Sequence, residues 1–240
     1  RSALIPARAG SKGIKNKNIK KIAGKPLIEH TLLAAECAPI IDELFISTDS
    51  ETIKENYKSR AQIIERPSKY ASDNSTAVSV VKHFIRATKK ILPNDYFIIY
   101  LQPTSPLRKA NDIKKCFENM KKNRKSSAVS VVKNRFSPFK SFKLNKTNAL
   151  KPLLSEYKTN QNRQNLPQTY RSNGAIYIFK KSSLKGKNSF PSMNAYPYVM
   201  EEDLSIDVDD IETIQGGLVI ILTIAIHSLL AIKKTQLKST

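Results

Sequence analysis

The strongest constraint on this chain is the regular alternation, over its first half, of short apolar runs with stretches that are apolar on one helical face. Ala3-Leu4-Ile5-Pro6 reads as the end of a short buried strand, Glu43 to Thr48 (ELFIST) as a second, Tyr96 to Leu101 (YFIIYL) as a third and Ala128 to Val132 as a fourth. Between them, Pro26 can start a helix, and Leu27, Ile28, Thr31, Leu32 and Ala35 recur at helical spacing up to Cys37. Further helices are expected from about Glu51, over Ser75 to Lys90 and over Asn111 to Lys122. Strands that are apolar along their length are buried on both faces, so helices must cover both sides of a parallel sheet. In such sheets ligands bind at the carboxyl ends of the strands, where the loops after Pro6, Thr48 and Leu101 gather.

From Lys133 to Tyr170 the alternation stops, and the segment is rich in Lys, Asn, Gln and Ser, which marks 133–170 as an insertion or arm. Ala175 to Phe179 (AIYIF) restores a strand, and a Pro-containing linker leads to an acidic stretch at 201–212. Leu218 to Ile232 is a 15-residue run without charge, preceded by Gly216-Gly217. As a helix it would span about 22 Å, short of the roughly 30 Å hydrocarbon core, so no membrane crossing is expected. The organisation expected is one catalytic domain over 1–215 and an atypical apolar tail over 216–240 that takes no part in catalysis.

A formal net charge of +21 would suit a nucleic-acid partner, since lysines release counterions on meeting phosphates. The lysines are instead spread over nearly every segment, which reads as solvated surface rather than a binding stripe. A nucleic-acid-binding protein stays as the alternative of another class, supported by charge alone. Cys37 and Cys116 have no CxxC spacing and no nearby His cluster, so neither a zinc site nor a disulfide framework is indicated, and a reducing cytoplasm is expected. The chain starts at Arg1 without Met, two residues before its first apolar run, so a few preceding residues are expected to be missing.

Two constellations carry chemistry. Ala7-Arg8-Ala9-Gly10-Ser11-Lys12-Gly13 with Lys17-Asn18 offers small residues for close backbone approach, amide donors and three cations, the combination a triphosphate needs. It has neither GxGxxG nor GxxxxGK[ST] spacing. Asp207 and Asp209, two apart, share one face of an extended backbone, where one cation can meet both. Seven of the chain's 20 acidic residues fall in 201–212, a concentration unexpected at random in so basic a chain. Mg²⁺ is the ion expected, since it takes one or two carboxylates plus phosphate oxygens and water.

The stretch IPARAGSKGIKNKNI resembles the N-terminal motif of the CMP-sialic acid synthetases, the acylneuraminate cytidylyltransferases. Three further stretches match in the same order: Leu101 to Arg108 (LQPTSPLR), Arg163 to Gly174 (RQNLPQTYRSNG) and Ser205 to Asp209 (SIDVD). Together they cover residues from about 3 to 212. The resemblance implies an α/β fold, a mostly parallel, Rossmann-like nucleotidyltransferase sheet with helices on both faces, and makes 133–170 an arm exchanged across a homodimer. It implies transfer of CMP from CTP to the anomeric hydroxyl of N-acetylneuraminic acid or a related acid sugar, with release of pyrophosphate. A legionaminic or pseudaminic acid substrate is the alternative.

By the same resemblance Arg8, Ser11, Lys17 and Asn18 hold the nucleotide, and Arg66 and Ser75 are candidates for the cytidine. Gln102 lies where nucleotide and sugar meet. Arg163, Arg171 and Asn173 serve the sugar's carboxylate and N-acyl group, and Asp207 and Asp209 hold the metal. The catalytic set implied is Arg8, Lys17, Arg163 and Asp209. None of His30, His83 and His227 lies in a motif, so the reaction is expected to rest on positioning and charge rather than a protein base.

Overall fold

In the computed structural model, which describes residues 1–10, 14 and 16–208, sixteen strands and helices follow one another in an order that keeps the alternation read above. They are β1 (Ser2–Pro6), β2 (Lys21–Ile22), β3 (Lys25–Pro26), α1 (Leu27–Glu36), β4 (Glu43–Thr48), α2 (Glu51–Tyr57), β5 (Gln62–Glu65) and α3 (Ala77–Ala87). The second half adds β6 (Phe97–Tyr100), α4 (Ala110–Lys122), β7 (Ser127–Lys133), β8 (Phe142–Leu144), β9 (Leu150–Pro152), α5 (Glu156–Thr159), β10 (Tyr170–Lys180) and β11 (Tyr196–Val199).

Seven strands form one sheet in the order β11-β7-β10-β6-β1-β4-β5. Neighbours are parallel except at β10, which runs antiparallel to both β6 and β7, so six strands point one way and β10 alone opposes them. The pleat divides the apolar runs between two cores. Ala3, Ile5, Ile46 and Ile99 pack with Ile28 and Leu32 of α1, Ile53 of α2 and Ile113 and Met120 of α4. Leu4, Phe45 and Ile98 face the other way, onto Val78, Val81 and Phe84 of α3. Phe84 meets Phe45 edge-to-face at 5.1 Å.

Local signals set the helix starts. The Ser50 hydroxyl accepts from the Ile53 amide at 3.4 Å to open α2, and Thr76 Oγ1 accepts from the Ser79 amide at 3.2 Å to open α3. The latter cap explains why α3 starts at Ala77 rather than at Ser75 as expected from the pattern. The sequence reading passed over β5 and β11, which are the two edges of the sheet. Pro197 sits within β11, and an edge strand tolerates its missing N–H. In the segment 133–170, β8 and β9 pair as a separate antiparallel ribbon outside the main sheet. The tail 216–240 lies outside the described residues.

Candidate active site

Residues at and after the carboxyl ends of β1, β5 and β6 line a cavity of about 330 Å³. Its first wall is the loop after β1. The Ala7 amide continues the ladder to the Ser47 carbonyl at 2.9 Å, and the Ala9 amide donates to Asp49 Oδ1 at 2.8 Å. Asn18, buried, donates from Nδ2 to the Arg8 carbonyl at 3.0 Å and folds the loop back on itself. Asn16 takes a left-handed backbone at φ 55°, which Asn tolerates better than most residues. The result places the side chains of Arg8, Lys17 and Asn18 on one cavity. Ser11, expected beside them, lies outside the described residues.

The second wall comes from β5 and the loop after it. Arg66 is only 6% exposed, with Nε donating to Ser47 Oγ at 3.1 Å and Nη2 to the Ser47 carbonyl at 2.6 Å. Burial lowers its pKa, and the Tyr100 hydroxyl and Asp49 work against that shift. The loop itself is closed by Ser75 Oγ donating to the Lys69 carbonyl at 3.0 Å, with Ser72 Oγ 2.9 Å from Ser75 Oγ. Tyr70, Ser72, Asp73 and Ser75 line the cavity from this side. Tyr100 lies beneath, fully buried, and burial holds its phenol well above the usual range, so it stays protonated. Behind Tyr70, the His83 ring stacks at 4.9 Å, and Tyr70 Oη accepts from Arg86. His30 is engaged elsewhere, with Nε2 2.9 Å from the Ile22 carbonyl.

The third wall is the loop Gln102, Pro103 and Thr104 together with Asp207. Arg108 braces this loop from below. It is 2% exposed and donates from Nη1 to the Gln102 carbonyl at 3.2 Å and the Ala175 carbonyl at 2.7 Å, while burial pushes its pKa down to about 9. Gly174 backs Gln102 with φ +76°, and a Cβ there would lie 2.5 Å from Gln102 Oε1 and 3.5 Å from Asp207 Oδ2. Gly174 sits in an irregularity of β10, where the register to β7 shifts between Ser172 and Tyr177. Two buried side chains supply the missing ladder bonds: Ser130 Oγ accepts from the Ile176 amide at 2.7 Å and donates to Asn173 Oδ1 at 2.6 Å. Asn173 Nδ2 then donates to Ser205 Oγ at 2.9 Å, which ties the bulge to the segment carrying Asp207. That segment is pinned by the Val208 amide on the Thr104 carbonyl at 2.8 Å and by Val208 packing on Ile22 and Leu27.

Of the residues expected from the sequence, the structure thus gathers Arg8, Lys17, Asn18, Arg66, Ser75, Gln102 and Asp207 on one cavity. Asp209 lies outside the described residues. Asn173 is beneath the cavity rather than in its wall, because both ends of its amide are used to hold the bulge. Arg163 lines a second cleft at the same edge, of about 390 Å³, with Lys133, Asn134, Arg135, Glu201 and Glu202. There Arg163 donates to the Arg135 carbonyl at 2.6 Å and Arg135 pairs with Glu202 at 3.2 Å. Arg171 is exposed on β10 opposite Val132 and lines neither cleft. Asp73 belongs to the Ala71-Ser72-Asp73 stretch that the resemblance sets beside the cytidine, whereas Tyr70, Tyr100 and Arg135 were not anticipated as site residues. Their one sequence signal is that each follows or ends a strand on the carboxyl edge.

A mostly parallel sheet, helices on both faces and a cationic cavity at the strand ends define a nucleotidyltransferase fold. A solved CMP:2-keto-3-deoxy-manno-octonic acid synthetase complexed with CTP superposes on it with a TM-score of 0.67 at 16% identity, covering 93% of this chain and 99% of that one. The family model described as cytidylyltransferase matches residues 2–221, and the chain belongs to the cytidylyltransferase family. The CMP-N,N'-diacetyllegionaminic acid synthase of Legionella pneumophila is 34% identical over 218 residues, 86% of this chain and 90% of that protein. The N-acylneuraminate cytidylyltransferase of Streptococcus agalactiae is 34% identical over 209 residues, 86% of this chain, and the chain spans about half (49%) of that relative's length.

Proposed function

We propose that this cytidylyltransferase joins CMP from CTP to the anomeric hydroxyl of N-acetylneuraminic acid or a related acid sugar, legionaminic acid included, and releases pyrophosphate. The observation that carries this reading is the cavity that sets Arg8, Lys17 and Arg66 opposite Gln102 and Asp207. A triphosphate needs clustered cations, and a base and ribose fit the less charged wall of Tyr70, Ser75 and Val80. The neighbouring cleft with Arg135 and Arg163 offers guanidinium groups to a sugar carboxylate. The relatives named above act on sugars of this kind.

In this reading Lys17 and Arg8 hold the triphosphate, and Gln102, fixed by Arg108 and Gly174, holds the α-phosphate against the incoming hydroxyl. The anomeric hydroxyl gives its proton to solvent and its oxygen bonds to the α-phosphorus, as the bond from that phosphorus to the α–β bridging oxygen breaks and pyrophosphate leaves. Among the described residues no histidine lines the cavity, so the rate comes from positioning and charge. Asp207 fits a magnesium site: it is exposed at the cavity edge between the anchored Ile206 and Val208, and it offers the hard oxygen ligand that Mg²⁺ prefers. When bound, Mg²⁺ would offset charge on the triphosphate and acidify the attacking hydroxyl.

The segment 133–170 supports a homodimer. Of the eleven exposed large apolar residues among the described residues, eight lie within it, Phe136, Leu144, Leu150, Leu153, Leu154 and Tyr157 among them, a concentration that scattered surface residues do not produce. Pyrophosphate release measured with all four NTPs and a panel of acid sugars tests the proposal. CTP-dependent release with a nine-carbon acid sugar is the expected result, and no release with any pair would refute it. Light scattering tests the dimer, with Leu150→Lys and Leu153→Glu together expected to give monomers.

A further inference from the structure

The cavity holds a negative charge where a triphosphate is to be received. Arg8 Nη2 lies 2.9 Å from Asp73 Oδ1, and Arg8 Nη1 donates to the Ala71 carbonyl at 3.3 Å. Arg8 follows β1 and Asp73 lies in the loop after β5, with β4 between those strands, so the ion pair arches across the end of β4. Both side chains line the cavity. Neither is deeply buried, their side chains being 28% and 39% exposed, in contrast to Arg66, a buried residue whose guanidinium is committed to Ser47.

The Arg8 guanidinium thus reaches over to the 66–76 loop, and it is close enough to Arg66 to depress the latter's pKa. Three cations on one small cavity repel one another, and a carboxylate beside Arg8 relieves that repulsion while the site is empty. Once a phosphate meets Arg8, the same carboxylate becomes a like charge at ion-pair distance from it. Phosphate carries more charge and offers a guanidinium two parallel acceptors, so it can displace a half-exposed carboxylate.

We propose that Asp73 is a specificity-determining latch on the nucleotide cavity, holding Arg8 across its mouth until a polyphosphate takes Arg8 over, so that tight binding is reserved for ligands carrying enough negative charge to break the pair. The proposal rests on the reading of this cavity as the CTP site. Asp73→Asn keeps the shape and removes the charge. A partly exposed ion pair is worth up to about fivefold in an equilibrium.

The test is calorimetric binding to the full chain at saturating Mg²⁺, with CTP, tripolyphosphate and cytidine as ligands. Asp73→Asn should bind CTP and tripolyphosphate about three- to fivefold more tightly than the original protein and bind cytidine unchanged, and in an Arg8→Ala background the gain should be clearly smaller, a gain of the same size there showing that the carboxylate acts by plain repulsion and overturning the latch. Equal or weaker binding of CTP by Asp73→Asn, or a loss of affinity for cytidine, would overturn the latch, since a merely structural or nucleoside-holding Asp73 predicts these. If the unsubstituted protein bound neither CTP nor tripolyphosphate, the reading of the cavity itself would fail.

Discussion

Gly174→Ala separates the site's geometry from the fold's stability. A left-handed backbone costs Ala about 1–2 kcal/mol, and Gly174 stands at φ +76°. For a chain of 240 residues each kcal/mol lowers Tm by about 2–4 °C. The added methyl would also lie 2.5 Å from Gln102 Oε1, against an ordinary contact of about 3.5 Å, so the Gln102 amide must move by about 1 Å. A misplacement of that size costs about 10²-fold in rate, or about 2.7 kcal/mol of activation free energy. Gly186→Ala is the control: its φ is +72°, but nothing lies within 4 Å of the added methyl. Both variants should lose similar stability in thermal melts, while pyrophosphate-release assays should show kcat/KM reduced about 100-fold in Gly174→Ala alone. A Gly174→Ala enzyme within about threefold of the original protein would refute the placement of Gln102 at the reacting centre.

Asp207→Asn should reduce turnover at least about 100-fold with an unchanged Tm, because the side chain is exposed and its role is to meet charge near the transition state. Retained activity at saturating Mg²⁺ would count against a metal role. Ser130→Ala leaves the Ile176 amide without its buried partner and Asn173 Oδ1 with only the Ala175 amide at 3.3 Å, and should destabilise the fold by about 1–3 kcal/mol in urea unfolding. His83 has its pKa lowered by burial first and then by Arg86, Arg66 and Lys69. The unfolded chain therefore binds this proton more readily, and the contribution to stability is present above the ordinary value of 6.5 and lost as pH falls through the lowered one. His83→Gln should flatten the decline of Tm with acidification below pH 6.5, and an unchanged slope would exclude His83 as its source.

The sequence alone determined the strands and helices whose two faces are both buried. ELFIST, YFIIYL and the helical stripe from Leu27 to Ala35 carry their burial in their composition, and β4, β6 and α1 follow them closely. It also placed the cationic loop after Pro6 at the carboxyl ends of the strands, where ligands of such sheets gather. It did not reveal β5 and β11, because an edge strand is buried on one side only and its apolar alternation is weak. Only the first part of β10 was missed, since Tyr170 to Ser172 pair with β7 in the open and leave no apolar trace. The tertiary structure alone decided which polar side chains serve the ligand and which serve the scaffold. Arg66 and Arg108 are buried on carbonyls, Asn173 holds a bulge and Arg8 is paired with Asp73. A side chain's hydrogen-bond partners come from segments distant in the chain, and no local pattern can encode them.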